Sequence, residues 1–142
     1  MPMHGLPSVK KALRKTKADA NIKLYGIYFT GLSFVIRRTP TDKGRARNNW
    51  FMTSGTPFSL SGRAADPSGS GSSTSLMTME EKVLNKKIYF SNNLPYIGML
   101  EYGGYSKRST TGKTINGFSR QVAPDGWVRD QLKIMANEVR KL

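Results

Sequence analysis

Residues 8–37 read SVKKALRKTKADANIKLYGIYFTGLSFVIR, and their spacing decides the fold. Val9, Leu13, Thr16, Ala20, Leu24, Ile27, Gly31 and Val35 recur in steps of three or four. That period places them along one face of a helix. Ser8 offers a side-chain acceptor for an N-cap, and Pro40 disfavours helix in the residue before it. The first half of this helix is cationic on its other side. In the second half, Tyr25, Tyr28, Phe29, Phe34 and Ile36 extend the apolar surface nearly all round. Such a surface calls for cover on several sides, from the domain itself or from a neighbouring subunit.

Beyond this helix, TPTDKGRARNNW (39–50) holds Pro40, Asp42 and Gly44, each a turn former through its own backbone preference. Residues 50–60 read as a strand or hairpin interrupted at Gly55 and Pro57. Residues 61–74 are rich in Gly, Ser and Pro and predict a flexible loop. A helix is expected over 75–86, with Leu76, Met79 and Val83 on one side, then a strand over 87–91. A short helical turn over 95–102 follows Pro95 and stops at Gly103 and Gly104. Residues 105–123 form a second loop with no acid, and a closing helix covers 125–142. Val128, Leu132, Met135, Val139 and Leu142 mark its seam, with Asp125 and Asp130 near the start and Arg140 and Lys141 at the end, as the helix dipole prefers. The expected architecture is one α+β domain of 1–142: a long N-terminal and a C-terminal helix packed on a small, mainly antiparallel sheet, with long flexible loops.

Composition narrows the chemistry. Of 142 residues none is cysteine and one, His4, is histidine. That removes disulfides, cysteine-rich zinc sites, and Ser-His or Cys-His nucleophiles. Gly112-Lys113-Thr114 resembles the end of a phosphate-binding loop. The glycine such a loop needs five residues earlier is replaced by Lys107, which argues against nucleotide binding. Asp42, Glu80, Glu81, Glu101 and Asp125 are the carboxylates a metal-dependent nuclease would draw on, but they are scattered over separate elements. Glu80 and Glu81 read better as first-turn residues of the 75–86 helix. The chain is therefore read as a non-enzyme with no cofactor and no metal.

Charge points to partners. Twenty-three basic residues oppose nine acidic ones, for a formal +14. Residues 1–47 hold eleven basic groups against Asp19 and Asp42, a local +9. Such an excess favours polyanions or an acidic protein surface. The candidate contacts are Lys10, Lys11 and Arg14 on the first helix and Lys107, Arg108, Lys113 and Arg120 in the second loop. Tyr105 and Phe118 lie among the latter and are able to stack on unpaired bases, although no sequence-reading motif accompanies them. The longest uncharged apolar-rich run, 24–36, is too short for a membrane-crossing helix of ~20 residues. No secretory signal is expected. For Trp50, Tyr96, Tyr102 and Trp127 the expected place is the core or a subunit interface.

Two segments, TPTDKGRARNNW (39–50) and IYFSNNLPYIGMLEYGGYS (88–106), together with the long preceding helix and a closing APDGWVRDQL (123–132), resemble the tail-completion or minor-tail proteins of tailed bacteriophages. Lys43 departs from the threonine usual in that family, as does the absence of a methionine near Trp127. The resemblance implies a virion structural protein of the neck, located in the virion and in the host cytoplasm during assembly. It implies a hexameric ring around the DNA channel, meeting head-closure or connector proteins on one side and tail terminator or tail tube proteins on the other. Non-specific contact with genomic DNA fits that place, and no membrane is involved. A tail terminator capping the tube is the near alternative. A free basic nucleic-acid-binding protein is the alternative from another class. Within the matching segments, Asp42, Gly44, Arg45, Arg47, Trp50, Asn92, Asn93, Pro95, Tyr96, Glu101, Tyr102 and Gly103 read as fold or interface residues. Glu101, a lone acid in a basic neighbourhood, is expected to pair with Arg45 or Arg47.

Overall fold

The computed structural model describes residues 5–108, 112–122 and 125–142. Eight elements follow in order: α1 (Gly5–Arg38), β1 (Phe51–Ser54), α2 (Ser70–Leu76), β2 (Ile88–Ser91), α3 (Ile97–Tyr102), β3 (Thr114–Ile115), β4 (Phe118–Ser119) and α4 (Val128–Arg140). The fold is α+β, with two small antiparallel sheets, β1–β2 and β3–β4.

The long helix forms where its period placed it, but it starts earlier. Ser8 lies inside α1 and is not its cap. From Pro7 to Asp19 every residue is exposed, so the first half of α1 projects from the domain. At 1.5 Å per residue this arm is about 20 Å long. The second half carries the core. Val35 and Ile36 are buried with Trp50, Leu76, Val83, Leu94, Leu100 and Trp127 in one cluster. Packing against α4 is close because Gly31 has no side chain: a Cβ there would collide with the Met135 thioether. Arg38 closes the same interface with a 2.8 Å bond to Asp130.

Both indole N–H groups are satisfied inside this core. Trp127 donates to the Val35 carbonyl (3.2 Å), and Trp50 donates to the Thr39 hydroxyl (2.9 Å). Thr39 in turn donates to the Val35 carbonyl at 2.7 Å, which ends α1 with a bonded hydroxyl. A buried donor left alone would cost about 1–3 kcal/mol, so these pairings fix where the tryptophans sit.

Between β1 and β2 the expectations need correction. Of the strand or hairpin expected over 50–60 the strand forms and the hairpin does not: β1 ends at Ser54 and pairs with β2, Ser54 opposite Ile88 and Phe51 opposite Ser91. The helix expected over 75–86 lies at Ser70–Leu76 instead. Leu76, Met79 and Val83 all reach the core as their spacing suggested, but the chain from Met77 to Lys87 is not helical. Asn21 holds it, donating to the Glu81 carbonyl and accepting from the Val83 and Leu84 amides. Glu80 and Glu81 thus follow α2 and do not begin it. The 61–74 segment is bonded to the domain through Asn48 and Asn49, and its last five residues are helical. In the 105–123 loop, β3 and β4 form a tight hairpin through Asn116 and Gly117, both with positive φ. Residues 109–111 and 123 of that loop, with Ala123 and Pro124 of the closing segment, lie outside the described residues.

Candidate functional site

The turn at 39–50 is held by hydrogen bonds from both its backbone and its side chains. Gly44 has φ of 89°, and a Cβ there would meet the backbone of Asp66 and Pro67. Its carbonyl accepts the amides of Asn48 and Asp66. Arg47 spreads its guanidinium over the carbonyls of Arg37, Thr39 and Pro67, at 2.9–3.2 Å. It therefore covers the carboxyl end of α1, where the helix dipole favours a cation. Partial burial lowers its pKa from the ordinary value, as it does for Arg63.

Asn48 and Asn49 order the following loop. Asn49, fully buried, donates to the Arg45 and Arg63 carbonyls and accepts from the amides of Gly62 and Arg63. Asn48 donates to the Ala64 carbonyl and accepts from the Gly71 amide. Asp66 accepts from the Ser68 amide and from the Ser68 and Ser70 hydroxyls, which hold its carboxyl below the ordinary range. Amide side chains at a turn are too common in sequences to have marked this role.

The second matching segment meets the first. The Phe90 ring stacks on Trp50 with centroids 5.1 Å apart. Asn92 donates to the Ala46 carbonyl and accepts from the Leu94 amide. Asn93 donates to the carbonyls of Phe58 and Leu60. Pro95 is exposed, Tyr96 is half-buried at the start of α3, and Gly103 ends that helix with φ of 81° against the Phe118 ring.

Glu101 pairs with neither Arg45 nor Arg47. It is 6 % exposed and its carboxylate accepts the amides of Val128 (2.8 Å) and Arg129 (3.2 Å). It is the N-terminal cap of α4, supplied from another element. Arg129 returns a bond to the Glu101 carbonyl at 2.8 Å and lies over the Tyr102 ring. Tyr102 itself is 65 % exposed, so within this chain it is not a core residue. The pairing with Arg45 or Arg47 failed because both are committed elsewhere in sequence: Arg47 to the end of α1, and Arg45 to the outer face of the turn.

Arg45 faces a cleft of about 760 Å³ between the 40–46 turn and the β3–β4 hairpin, floored by Tyr96 and Leu100. Lys43, Arg45, Arg108, Lys113 and Arg120 line it, against the single carboxylate Asp42. Lys113 and Asp42 form a 2.7 Å ion pair across its mouth, which lowers the Asp42 pKa. Gln121 ties the two walls together by exchanging bonds with the Thr41 backbone (2.7 and 2.6 Å). Burial raises the Tyr105 pKa, reinforced by Tyr96 nearby. Of the basic candidates, Arg108, Lys113 and Arg120 are thus brought together. Lys107 is exposed beside the cleft without lining it, and Lys10, Lys11 and Arg14 sit on the α1 arm. Lys43 was noted in sequence only as a departure from the family pattern, and its place in this cleft came from the fold.

Among the described residues, no three His, Asp or Glu side chains gather as a metal site would require. No helix of the described residues is long and apolar enough to cross a membrane. Comparison with protein-family models, with curated proteins and with solved structures finds no match.

Proposed function

We propose that this chain is a structural protein of the phage neck, a tail-completion protein that assembles as a ring between head connector and tail. The observation that carries the reading is the way the two resembling segments fold together. The 39–50 turn and the 88–106 segment pack as one unit through Trp50 on Phe90 and Asn92 on Ala46, so the resemblance falls on one continuous piece of structure. The projecting arm supports it further. Val9 and Leu13 are 62 % and 53 % exposed, a surface that suits packing against a neighbouring subunit.

In this reading the protein is a component of the virion, present in the host cytoplasm during assembly. Its partners are further copies of itself, head-closure or connector proteins, and tail terminator or tail tube proteins. A terminator role is the near alternative. The basic cleft favours a second reading, that of a free nucleic-acid-binding protein using sequence-independent phosphate contacts.

The test is genetic and structural. Removing the protein from an infection is expected to leave complete heads and complete tails that accumulate unjoined. Its copies are expected in stoichiometric amount at the neck of mature particles. Normal joining in its absence would overturn the proposal. Tight binding to bare duplex DNA at physiological salt, with no copies in particles, would establish the second reading.

A further inference from the structure

The two edges of the β1–β2 sheet are treated differently. The Gly55 amide bonds the Lys87 carbonyl, which sets the register of paired bonds at residues 87, 89 and 91 of β2. On the β1 side the outward amide of Met52, and that of Trp50 just before the strand, are closed: Trp50 donates to the Ser72 hydroxyl and Met52 to that of Ser75, each at 2.9 Å. On β2 the alternation of an antiparallel ladder turns the amides and carbonyls of Ile88 and Phe90 outward. Among the described residues nothing bonds them. They open into an apolar trough of about 620 Å³ between β2, α1 and α4, floored by Tyr28, Leu32, Leu132 and Met135 and rimmed by Lys86 and Lys87.

We infer that this trough receives an extended segment of a different protein, which adds to β2 as a further strand and alternates apolar residues with carboxylates. A row of unpaired strand groups is a template for such pairing. Apolar side chains of the incoming strand would enter the trough, and its carboxylates would meet Lys86 and Lys87. The lining contains no acid of its own. A second copy of this chain is a poor occupant, since each copy carries +14. Among its irregular acidic residues Asp42 is already paired with Lys113 and Asp66 with serines. The inference stands on backbone geometry and charge, independently of the neck reading.

The probe is a short labelled peptide of about five residues, the common strand length, alternating valine with glutamate. Its valine–lysine counterpart is the control. Fluorescence anisotropy at low ionic strength is expected to show binding of the glutamate peptide alone, with slowed hydrogen exchange at Ile88 and Phe90. Ile88→Pro removes one outward donor and leaves the β1 ladder bonds of residues 87, 89 and 91 in place. It is expected to weaken binding at least about tenfold, with an unchanged circular dichroism spectrum. Should that variant fail to fold, Lys86→Glu with Lys87→Glu decides, since it is expected to reverse the preference between the two peptides. Absence of binding, equal binding of both peptides, or binding indifferent to the lysine reversal would overturn the inference. Concentration-dependent dimers that protect Ile88 and Phe90 would also overturn it, by placing a second copy in the trough.

Discussion

Glu101 shows how much one side chain decides in this fold. Its carboxylate closes the free amides at the start of α4, and it is nearly out of reach of solvent. Glu101→Ala is expected to lower stability by about 1–3 kcal/mol, read from urea unfolding, because the Val128 and Arg129 amides lose their acceptor and the Arg129 guanidinium loses the carboxylate 3.9 Å away. Glu101→Gln keeps one acceptor oxygen and is expected to lose less. Gly44→Ala forces an L-residue into φ of 89° against the Asp66–Pro67 backbone, and is expected to cost about 1–3 kcal/mol in the same assay. Asp42 and Asp66 respond to pH. Both carboxyls are held below their ordinary 3.8 by Lys113 and by serine hydroxyls respectively. The unfolded chain therefore takes up these protons first as pH falls. The stability they lend is complete above 3.8 and is lost as pH drops through their lower folded values. Asp66→Asn is expected to lower the neutral plateau of a plot of urea midpoint against pH and to flatten its acid limb, the two proteins converging at the acid end.

Among the elements, α1 and α4 were legible because each is long and keeps its apolar period over several turns. The turn at 39–50 was legible through Pro40, Asp42 and Gly44. α2 was not, and the reason lies in its composition: SGSSTSL is poor in helix formers. It is helical because the hydroxyls of Ser72 and Ser75 are wanted by the β1 amides, a demand set by residues more than twenty positions away. The apolar triplet Leu76, Met79, Val83 misled in the opposite sense. Its helical spacing is met by an irregular chain that Asn21 pins in place. The sequence reading pairs Glu101 with Arg45 or Arg47 of the other resembling segment, whereas its partners come from α4, a tertiary choice that local pattern does not encode. The α1 arm gives an element-scale expectation. Deleting residues 1–19 is expected to shift the thermal midpoint little, since 7–19 are exposed throughout, while reducing helical circular dichroism. On the neck proposal, Val9→Ser with Leu13→Ser is expected to leave the isolated protein folded and to reduce its incorporation into particles, measured by quantitative blotting of purified virions.

At the scale of the whole molecule, the cations read from the sequence as candidate DNA contacts sit in two places, the arm and the cleft. Duplex DNA distinguishes them through salt dependence. Each phosphate contact contributes a slope of about 0.9 in a plot of log affinity against log salt. Arg45→Ser with Arg120→Ser is expected to reduce the slope by about 1–2 if the cleft carries the contact, without changing any preference between DNA sequences. Loss of slope only on changing Lys10, Lys11 and Arg14 would move the contact to the arm. The pairing of β1 with β2 has a consequence for how the chain reaches this form. Ser54 and Ile88 stand 34 positions apart, so their meeting must wait for a large loop to close. Helix α1 needs only neighbours and can form within about a microsecond, whereas such a non-local sheet belongs to slower, millisecond-scale events. During that interval Val35 and Ile36 stand on a finished helix with no partner beneath them. The nascent chain therefore offers a transient apolar surface, covered only once Trp50, Leu76 and Trp127 fold back onto it.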